Sequence, residues 1–261
     1  MNLVQAFMIH TWILTKRSLI VLIRNPFTFI PNLFISLFFL LVYTGGLSGI
    51  AQLPQFEGAD YLSFILPVSI VSAAVGGAGG AGQSLVRDLE SGYFARLLQT
   101  PVTRLAIVLG PTIAGMLQLI VQTLIILGVA FLLGLKVEAG PGGVLVILLL
   151  TVGWGLAFAG YSVAIALKTK NAQAAQAGTL IFFPLIFLST TFVPLELIEA
   201  QWLRAAAIIN PTTYLFESMR AVLIDGWVMG PIISGFAVIG AVCAVTVAFS
   251  VRSATRAFKR E

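Results

Sequence analysis

The 261-residue chain is far more apolar than a soluble domain, with 59% hydrophobic residues, 10% charged residues and a mean hydropathy of +1.02. Soluble globular domains carry about 25% charged residues. Composition therefore excludes that class and indicates an integral membrane protein. The net charge of +5 does not indicate nucleic-acid binding, because the basic residues lie beside apolar stretches, where they set orientation in a membrane.

The N-terminal stretch 1–26 predicts a helix that lies in the membrane interface. Apolar residues from Val4 to Trp12 recur at helical spacing, Lys16 and Arg17 follow them, and Asn25-Pro26 ends the pattern. Tryptophan and basic side chains suit the headgroup level of a bilayer. The alternative is an ordinary solvated leader.

Six apolar stretches follow, and each is long enough for a helix to cross a bilayer, which takes roughly 20 residues. They are continuous runs and not alternating ten-residue segments, which favours helices over strands. We therefore predict an all-α fold that forms one transmembrane domain over residues 1–261. The six predicted transmembrane helices are 29–48, 61–86, 105–135, 143–167, 177–193 and 231–251.

The basic residues also predict the orientation of these helices. With both termini in the cytoplasm, twelve of the fifteen Lys and Arg residues lie on the cytoplasmic side, and Lys136, Arg204 and Arg220 lie outside. Lys and Arg near span ends favour the cytoplasm. We expect a multi-pass protein of the cell (inner) membrane with both termini cytoplasmic.

Small residues are frequent inside the predicted spans. The run from Gly77 to Ser84 has the spacing of a phosphate-binding loop, but Gln83 occupies the position of the essential lysine. We interpret this run as a surface for close helix packing. The same interpretation applies to the small residues of the fourth and sixth spans, Gly153, Gly155, Ala159, Gly160, Gly240, Ala244 and Ala248.

The segment 194–230, between the fifth and sixth spans, predicts a helical hairpin. Asn210-Pro211 combines a helix cap with a proline in the first helical turn, so two short helices meet there. Both helices are largely apolar, and Trp202 and Tyr214 suit the interface. We predict a re-entrant hairpin at the outer face, and the alternative is a surface loop with amphipathic helices.

The segment 87–104, between the second and third spans, is unusually polar. If it is helical, Leu89, Tyr93 and Leu97 lie on one stripe. The charged and turn residues around that stripe are Arg87, Asp88, Glu90, Gly92, Arg96, Pro101 and Arg104. Charged residues are otherwise rare in this apolar chain, so a cluster of them between two spans predicts a docking element.

Residues for catalysis or metal binding are scarce. The single histidine, His10, lies in the interfacial stretch, the single cysteine, Cys243, lies in the last span, and the predicted spans contain no Asp, Glu, Lys or Arg. Ion-coupled transporters usually place such residues at membrane depth. We therefore expect no catalytic or metal site in this chain, and we expect a partner to supply energy for any uphill transport.

Two runs carry a resemblance to a known family. They are Glu90-Ser91-Gly92-Tyr93-Phe94-Ala95-Arg96-Leu97-Leu98-Gln99-Thr100-Pro101-Val102-Thr103-Arg104, and Trp202-Leu203-Arg204 with Asn210-Pro211-Thr212-Thr213-Tyr214 and Glu217-Ser218-Met219-Arg220. The chain resembles the ABC-2 permeases, the membrane subunits of type-2 ABC exporters. It is most similar to the branch of drug and nodulation-factor exporters, although Leu89 and Gly92-Tyr93 depart from that pattern.

This resemblance implies a set of partners. The segment 87–104 would be the coupling helix that contacts a cytoplasmic ABC ATPase through Arg87, Asp88, Glu90, Gly92, Arg96, Pro101 and Arg104. Residues 1–26 would be a connecting helix, and 194–230 a cap over the exit. The working unit would contain two permease copies, expected to be a homodimer, and two ATPase subunits surrounded by membrane lipids. ATP and Mg would bind to the partner, and this chain would hold no cofactor and no metal.

The implied function is ATP-driven export of a hydrophobic or amphipathic substrate, such as a drug or a lipid-like molecule. The first, second and fifth spans would form the path. Aromatic and hydroxyl side chains suit such a substrate, and the candidates are Phe34, Phe38, Ser69, Ser72, Phe183 and Phe187. The alternatives are export of a lipid-linked glycan or polysaccharide, and a non-transporting membrane scaffold or channel.

Overall fold

The computed structural model describes residues 3–25, 27, 30–47, 61–100 and 102–257. Within these ranges the regular elements are helices and there is no strand, which confirms the all-α prediction. Short 3₁₀ turns lie at Thr179–Ile181 and Leu195–Leu197, and a π turn lies at Ala221–Asp225. The α-helices are α1 (Leu3–Arg24), α2 (Ile30–Leu47), α3 (Tyr61–Glu90), α4 (Tyr93–Leu98), α5 (Arg104–Leu132), α6 (Gly140–Thr169), α7 (Ala172–Gly178), α8 (Phe182–Phe187), α9 (Gln201–Ile209), α10 (Pro211–Arg220) and α11 (Met229–Ala257).

Five helices of the described ranges are long and apolar enough to cross a membrane. They are Val4–Arg24, Tyr61–Glu90, Leu109–Leu132, Gly140–Thr169 and Met229–Ser253. The predicted spans 29–48 and 177–193 correspond to shorter apolar helices at Ile30–Gly46 and Ala172–Phe187. The multi-pass character is therefore present. The count of six stays a prediction, as does the interfacial position of α1, because α1 itself has the length and hydropathy of a span.

Helix α3 is the centre of the bundle. In its most apolar window 88% of the residues are buried inside the protein, compared with 17% in the corresponding window of α11. It packs against α2, α5, α6 and α10. Since an α-helix rises about 1.5 Å per residue, its 30 residues extend over about 45 Å. One helix therefore reaches from one end of the bundle to the other.

Glycines allow two of the closest helix contacts. A Cβ at Gly82 of α3 would lie 2.6 Å from the carbonyl oxygen of Ser162, and one at Gly110 of α5 would lie 3.0 Å from the carbonyl carbon of Leu14. A side chain at either position would push the helices apart. The prediction that small residues mediate close packing is confirmed at Gly82, and Gly110 is a further close contact that was not predicted.

The small residues of the last span behave differently. Gly240, Ala244 and Ala248 of α11 are exposed, and a Cβ at Gly240 would have no described atom within 4 Å. The sequence predicted a close-contact face here, and that prediction is wrong for packing within this chain. The four-residue spacing identifies one helix face but not the side on which neighbouring helices lie.

The stretch predicted as the fifth span consists of two short pieces. Helix α7 ends at Gly178, a 3₁₀ turn follows, and α8 ends at Phe187. Pro184 lacks the N–H that would bond to residue 180, which accounts for the tighter turn before it. Beyond α8 the chain turns, and the hydroxyls of Ser189 and Thr191 both donate to the carbonyl of Ile186 at 2.6 Å.

The segment 194–230 contains the two helices that its sequence predicts, α9 and α10. The Asn210 side chain accepts a hydrogen bond from the backbone N–H of Thr212 at 3.0 Å, with Pro211 at the first helical position. Helix α10 is largely buried and packs against α11 and α3. Its Ser218 hydroxyl donates to the carbonyl of Pro231 at 2.6 Å, which holds α10 against the start of α11.

Candidate functional site

The 87–104 segment begins within α3, one of the helices long and apolar enough to cross a membrane. Helix α3 continues to Glu90, so Arg87 and Asp88 lie in its last turn. Gly92 then adopts a left-handed conformation with φ of 69°, which glycine accepts at little cost, and α4 follows. The single helix expected through Leu89, Tyr93 and Leu97 is therefore interrupted at Gly92.

Asp88 is bonded within the chain. The Arg17 guanidinium donates to its carboxylate through Nη1 to Oδ2 at 2.9 Å and Nη2 to Oδ1 at 2.7 Å. The same guanidinium lies 3.8 Å from the centroid of the Tyr93 ring. Two parallel charge-assisted bonds and a cation–π contact give this junction a defined geometry. Helix α1 is thereby fixed to both sides of the Gly92 turn.

Three other charged residues of the segment form an exposed surface. The side chains of Arg87, Glu90 and Arg96 are exposed. The structure describes the backbone of Arg104, where α5 begins, but not its side chain, and Pro101 lies outside the described residues. The surface available to a partner is therefore narrower than the sequence implies, because Asp88 is already paired.

A cavity of about 440 Å³ lies beside the segment, lined by residues of α1, α2, α3 and α5, two residues between α1 and α2, and one residue of α7. We call it the amide-lined cavity. Its polar lining residues are Ser18, Asn25, Asn32, Gln83, Ser84, Arg87, Gln118 and Gln176. No sequence pattern predicted this site. The available signal was the presence of amide side chains within otherwise apolar helices.

Four of the predicted path residues lie on exposed surfaces of α2 and α8. Phe34 and Phe38 stack with ring centroids 6.3 Å apart, and Phe183 and Phe187 are more than half exposed. Further ring contacts of 5.6 to 6.1 Å connect Phe38 to Phe187 across the two helices. We call this set the aromatic strip, and it consists of Phe34, Phe38, Phe39, Tyr43, Phe192 and Phe187.

The two predicted serines do not join the aromatic strip. Ser69 is buried within α3, and its hydroxyl has no hydrogen-bond partner among the described residues. Ser72 is half-buried on the same helix. Neither residue lines the amide-lined cavity. The structure therefore brings together three of the aromatic candidates and leaves the serines apart from them.

Arg220 lies in a position that the sequence did not indicate. It was assigned to the outer side with the loop cations, but only 5% of the residue is exposed. Its Nε donates to the carbonyl of Phe64 at 3.0 Å, Nη1 to that of Thr190 at 2.7 Å and Nη2 to that of Thr191 at 3.1 Å. The Glu217 carboxylate lies 3.3 Å from Nη1. These five residues are the Arg220 cluster.

The Arg220 cluster keeps a buried positive charge. Burial lowers the pKa of Arg220 to about 10, and Glu217 opposes that change. The guanidinium is therefore protonated at neutral pH and needs every one of its acceptors. It also lies over the Phe64 ring, 3.6 Å from the centroid.

Asn210 provides a second attachment for α10. Its side-chain amide donates to the carbonyls of Leu185 at 2.6 Å and Leu188 at 3.0 Å. The Thr212 hydroxyl also donates to the carbonyl of Leu185 at 3.0 Å. The first turn of α10 is thus bonded to the end of α8. The last turn of α10 is bonded through Arg220 to α3 and to the turn at Thr190 and Thr191 that follows α8.

The chain has the features of a polytopic helical membrane protein. It contains several long apolar helices, a short charged segment between two of them and a buried helix near its last span. Residues 9–224 match the family model described as ABC-2 type transporter, and the chain belongs to this family. Members of this family are membrane permease subunits that work with an ABC ATPase.

Two relatives are similar over most of their length. The chain is 28% identical over 257 residues to "Probable doxorubicin resistance ABC transporter permease protein DrrC" of Mycobacterium tuberculosis, which covers 97% of this chain and 92% of that protein. It is 26% identical over 221 residues to "Daunorubicin resistance ABC transporter permease protein DrrB1" of Streptomyces coeruleorubidus, with coverages of 84% and 75%. The expected resemblance to the drug-exporter branch is confirmed.

Proposed function

We propose that this chain is the permease subunit of an ATP-driven exporter of hydrophobic or amphipathic small molecules. The family match over residues 9–224 carries the proposal, and the two relatives named for doxorubicin and daunorubicin resistance support this substrate class. ATP and Mg are bound by the partner subunit, and the permease supplies the path.

The exposed surface of the 87–104 segment is the contact with the ATPase. Arg87, Glu90 and Arg96 supply charges for a complementary cleft, and the Gly92 turn sets the angle between α3 and α4. The Arg17–Asp88 pair connects this surface to α1. A displacement of the surface by the ATPase therefore also moves α1.

The assembly is a homodimer of permeases with two ATPase subunits in the cell (inner) membrane. Both termini and the 87–104 segment face the cytoplasm, because this orientation places most Lys and Arg residues inside. The 194–230 segment lies at the opposite face as a cap. Closure of the ATPase pair on ATP draws the two coupling surfaces together and switches the path from inward-facing or leaflet-facing to outward-facing.

The aromatic strip supplies part of the substrate path. Rings of α2 and α8 offer exposed faces on which a flat or apolar molecule stacks. The proposed path residues are Phe34, Phe38, Phe183 and Phe187, together with Ser69 and Ser72 of α3, which lie apart from the aromatic strip. This assignment explains why large aromatic side chains remain exposed in the single chain.

Copurification tests the proposal. The full chain is expressed with its cognate ATPase, purified, and assayed for retention of that subunit and for ATP hydrolysis.

An efflux assay tests the coupling surface. We expect Glu90→Lys to lower doxorubicin efflux about tenfold, the effect of losing about 1.4 kcal/mol of productive contact, while membrane insertion stays normal. Glu138→Lys is the matched control, because Glu138 is an exposed carboxylate between α5 and α6.

Two results would contradict the proposal. In the first, the purified chain neither retains the ATPase nor alters its ATP hydrolysis. In the second, the Glu90→Lys variant transports as well as the Glu138→Lys variant. The first result removes the exporter function, and the second removes Glu90 from the coupling surface.

A further inference from the structure

The amide-lined cavity is kept open by glycine. Gly80 of α3 and Gly115 of α5 both line it, and a Cβ at either position would have no described atom within 4 Å. Glycine inside a helix costs about 1 kcal/mol relative to alanine. No described residue packs closely enough against Gly80 or Gly115 to require a glycine there. The open volume of the cavity is therefore the feature to explain.

The polar groups of the cavity are suited to a ligand rich in oxygen. Gln118 is half-buried and lines the cavity. The Gln83 amide donates to the side-chain oxygen of Gln176, which connects α3 to α7 across the cavity. Amide N–H groups and serine hydroxyls donate to phosphate, carboxylate and ester oxygens. A ligand with several acceptor oxygens therefore finds donors on three helices.

The charges of the cavity favour an anion. Arg87 is the one charged residue among the described lining residues, and no carboxylate is among them. The nearest carboxylate in sequence, Asp88, is neutralised by Arg17. A cationic ligand would lose its hydration and gain no opposite charge in return, whereas an anion pairs with Arg87.

The position of the cavity indicates an amphiphile. Its charged residue lies in the last turn of α3, where a span reaches the headgroup region, while Val21, Leu22, Phe27 and Pro111 add an apolar wall. A volume of about 440 Å³ is in the range of ordinary ligand sites. Basic pockets between transmembrane helices bind anionic lipid head groups.

We propose that the amide-lined cavity binds the anionic, oxygen-rich head of an amphiphile, with Arg87 as its charge partner and Gln83, Gln118 and Asn32 as its polar lining. The site is separate from the aromatic strip. Two sources share this head chemistry, a phospholipid of the bilayer and an anionic transported substrate. Only the second source rests on the proposed export function.

The binding experiment uses purified full-length permease and phosphatidylglycerol with a short fluorescent acyl chain. The matched variants are Gly115→Leu, which fills the cavity, and Gly128→Leu, which adds the same side chain to an exposed glycine of α5 with open space around it. We expect Gly115→Leu to weaken binding at least about tenfold, a loss of about 1.4 kcal/mol, and Gly128→Leu to bind as the natural chain does.

Charge selectivity is the second measurement. The same fluorescent lipid with a phosphocholine head should bind more weakly, the amine-bearing drug doxorubicin should not displace the anionic lipid, and Arg87→Gln should remove most of the preference for the anionic head. Equal binding by the Gly115→Leu and Gly128→Leu variants would overturn the proposal. So would displacement of the lipid by doxorubicin at the same concentration.

Proteoliposomes that contain the permease and its ATPase distinguish the two sources. ATP-dependent movement of the anionic lipid between leaflets that Gly115→Leu abolishes identifies it as a substrate. Saturable binding without such movement identifies a resident lipid, and either result supports the site. Binding needs no ATPase, so a permease that binds the lipid but fails to couple to ATP hydrolysis would contradict the export proposal and leave the site standing.

Discussion

Two arginines hold opposite ends of α3, and they do so in different ways. Arg17 contacts the last turn through the Asp88 carboxylate, with side chains 35% and 14% exposed. Arg220 contacts the first turn through the backbone carbonyl of Phe64 and is almost fully buried. A partly hydrated ion pair separates at low cost, whereas a buried guanidinium cannot leave its acceptors without unpaired groups. The comparison indicates an adjustable end and a fixed end.

Removal of Arg220 should produce the largest effect. Arg220→Ala leaves the carbonyls of Phe64, Thr190 and Thr191 without its N–H donors, and each buried polar group left unsatisfied costs about 1–3 kcal/mol. Arg220→Lys keeps the charge but not the planar fork, so it should recover only part of that loss. Thermal unfolding in detergent measures both. Arg204→Ala, at an exposed arginine of α9, is the control, and equal stability of the Arg220→Ala and Arg204→Ala proteins would refute the fixed end.

The attachment of the first turn of α10 to the end of α8 should contribute less to stability than Arg220 does. Asn210→Asp keeps the oxygen that caps α10 but removes the two N–H donors to Leu185 and Leu188. Loss of buried donors should lower stability by about 1–3 kcal/mol. Asn171→Asp is matched, because Asn171 is an exposed residue whose oxygen accepts from Gln173 and Ala174. Thermal unfolding should leave that variant unchanged, and a similar loss in both would contradict the attachment.

Separation of Arg17 from Asp88 should cost less. A double-mutant cycle with Arg17→Gln and Asp88→Asn should give a coupling energy of about 1 kcal/mol or less, as for exposed and half-exposed pairs. Hydrogen exchange of residues 91–98 should increase in Arg17→Gln, because α4 then loses the Arg17 contact with the Tyr93 ring. A coupling energy of about 3 kcal/mol or more, as for a buried pair, would contradict an adjustable end.

Single cysteines test whether the two ends face opposite sides of the membrane with the smallest perturbation. In a Cys243→Ala background, Ser91→Cys and Gln201→Cys place thiols at exposed positions, where substitutions change stability by about 0.5 kcal/mol or less. An impermeant thiol reagent applied to intact cells should label position 201 and not position 91. Labelling of position 91 in intact cells would reverse the orientation.

Elements specified by local sequence were predictable. Continuous apolar runs indicated the long helices, and Asn210-Pro211 indicated the break between α9 and α10 because cap and proline act within one turn. The extension of α3 to Glu90 was not predicted, although leucine, arginine and glutamate favour helices. The sequence marked its end only at Gly92, where the backbone becomes left-handed.

The two polar sites depend on contacts between distant residues. The acceptors of Arg220 are backbone carbonyls of Phe64, Thr190 and Thr191, and a carbonyl carries no sequence signature. The amide-lined cavity combines Asn32, Gln83 and other polar residues of separate helices. Each residue alone resembles an isolated polar residue in a span, so only the helix arrangement shows that they share one space.

The length of α3 gives its two attachments a mechanical relation. Phe64 and Asp88 are 24 positions apart on one helix, which corresponds to about 36 Å along its axis. A rigid tilt of about 5° about one end would displace the other by about 3 Å over that length. Pro67 lies within one turn of Phe64 and removes one backbone hydrogen bond there. A tilt hinged beside Pro67 would therefore be smallest at Phe64 and largest at Asp88.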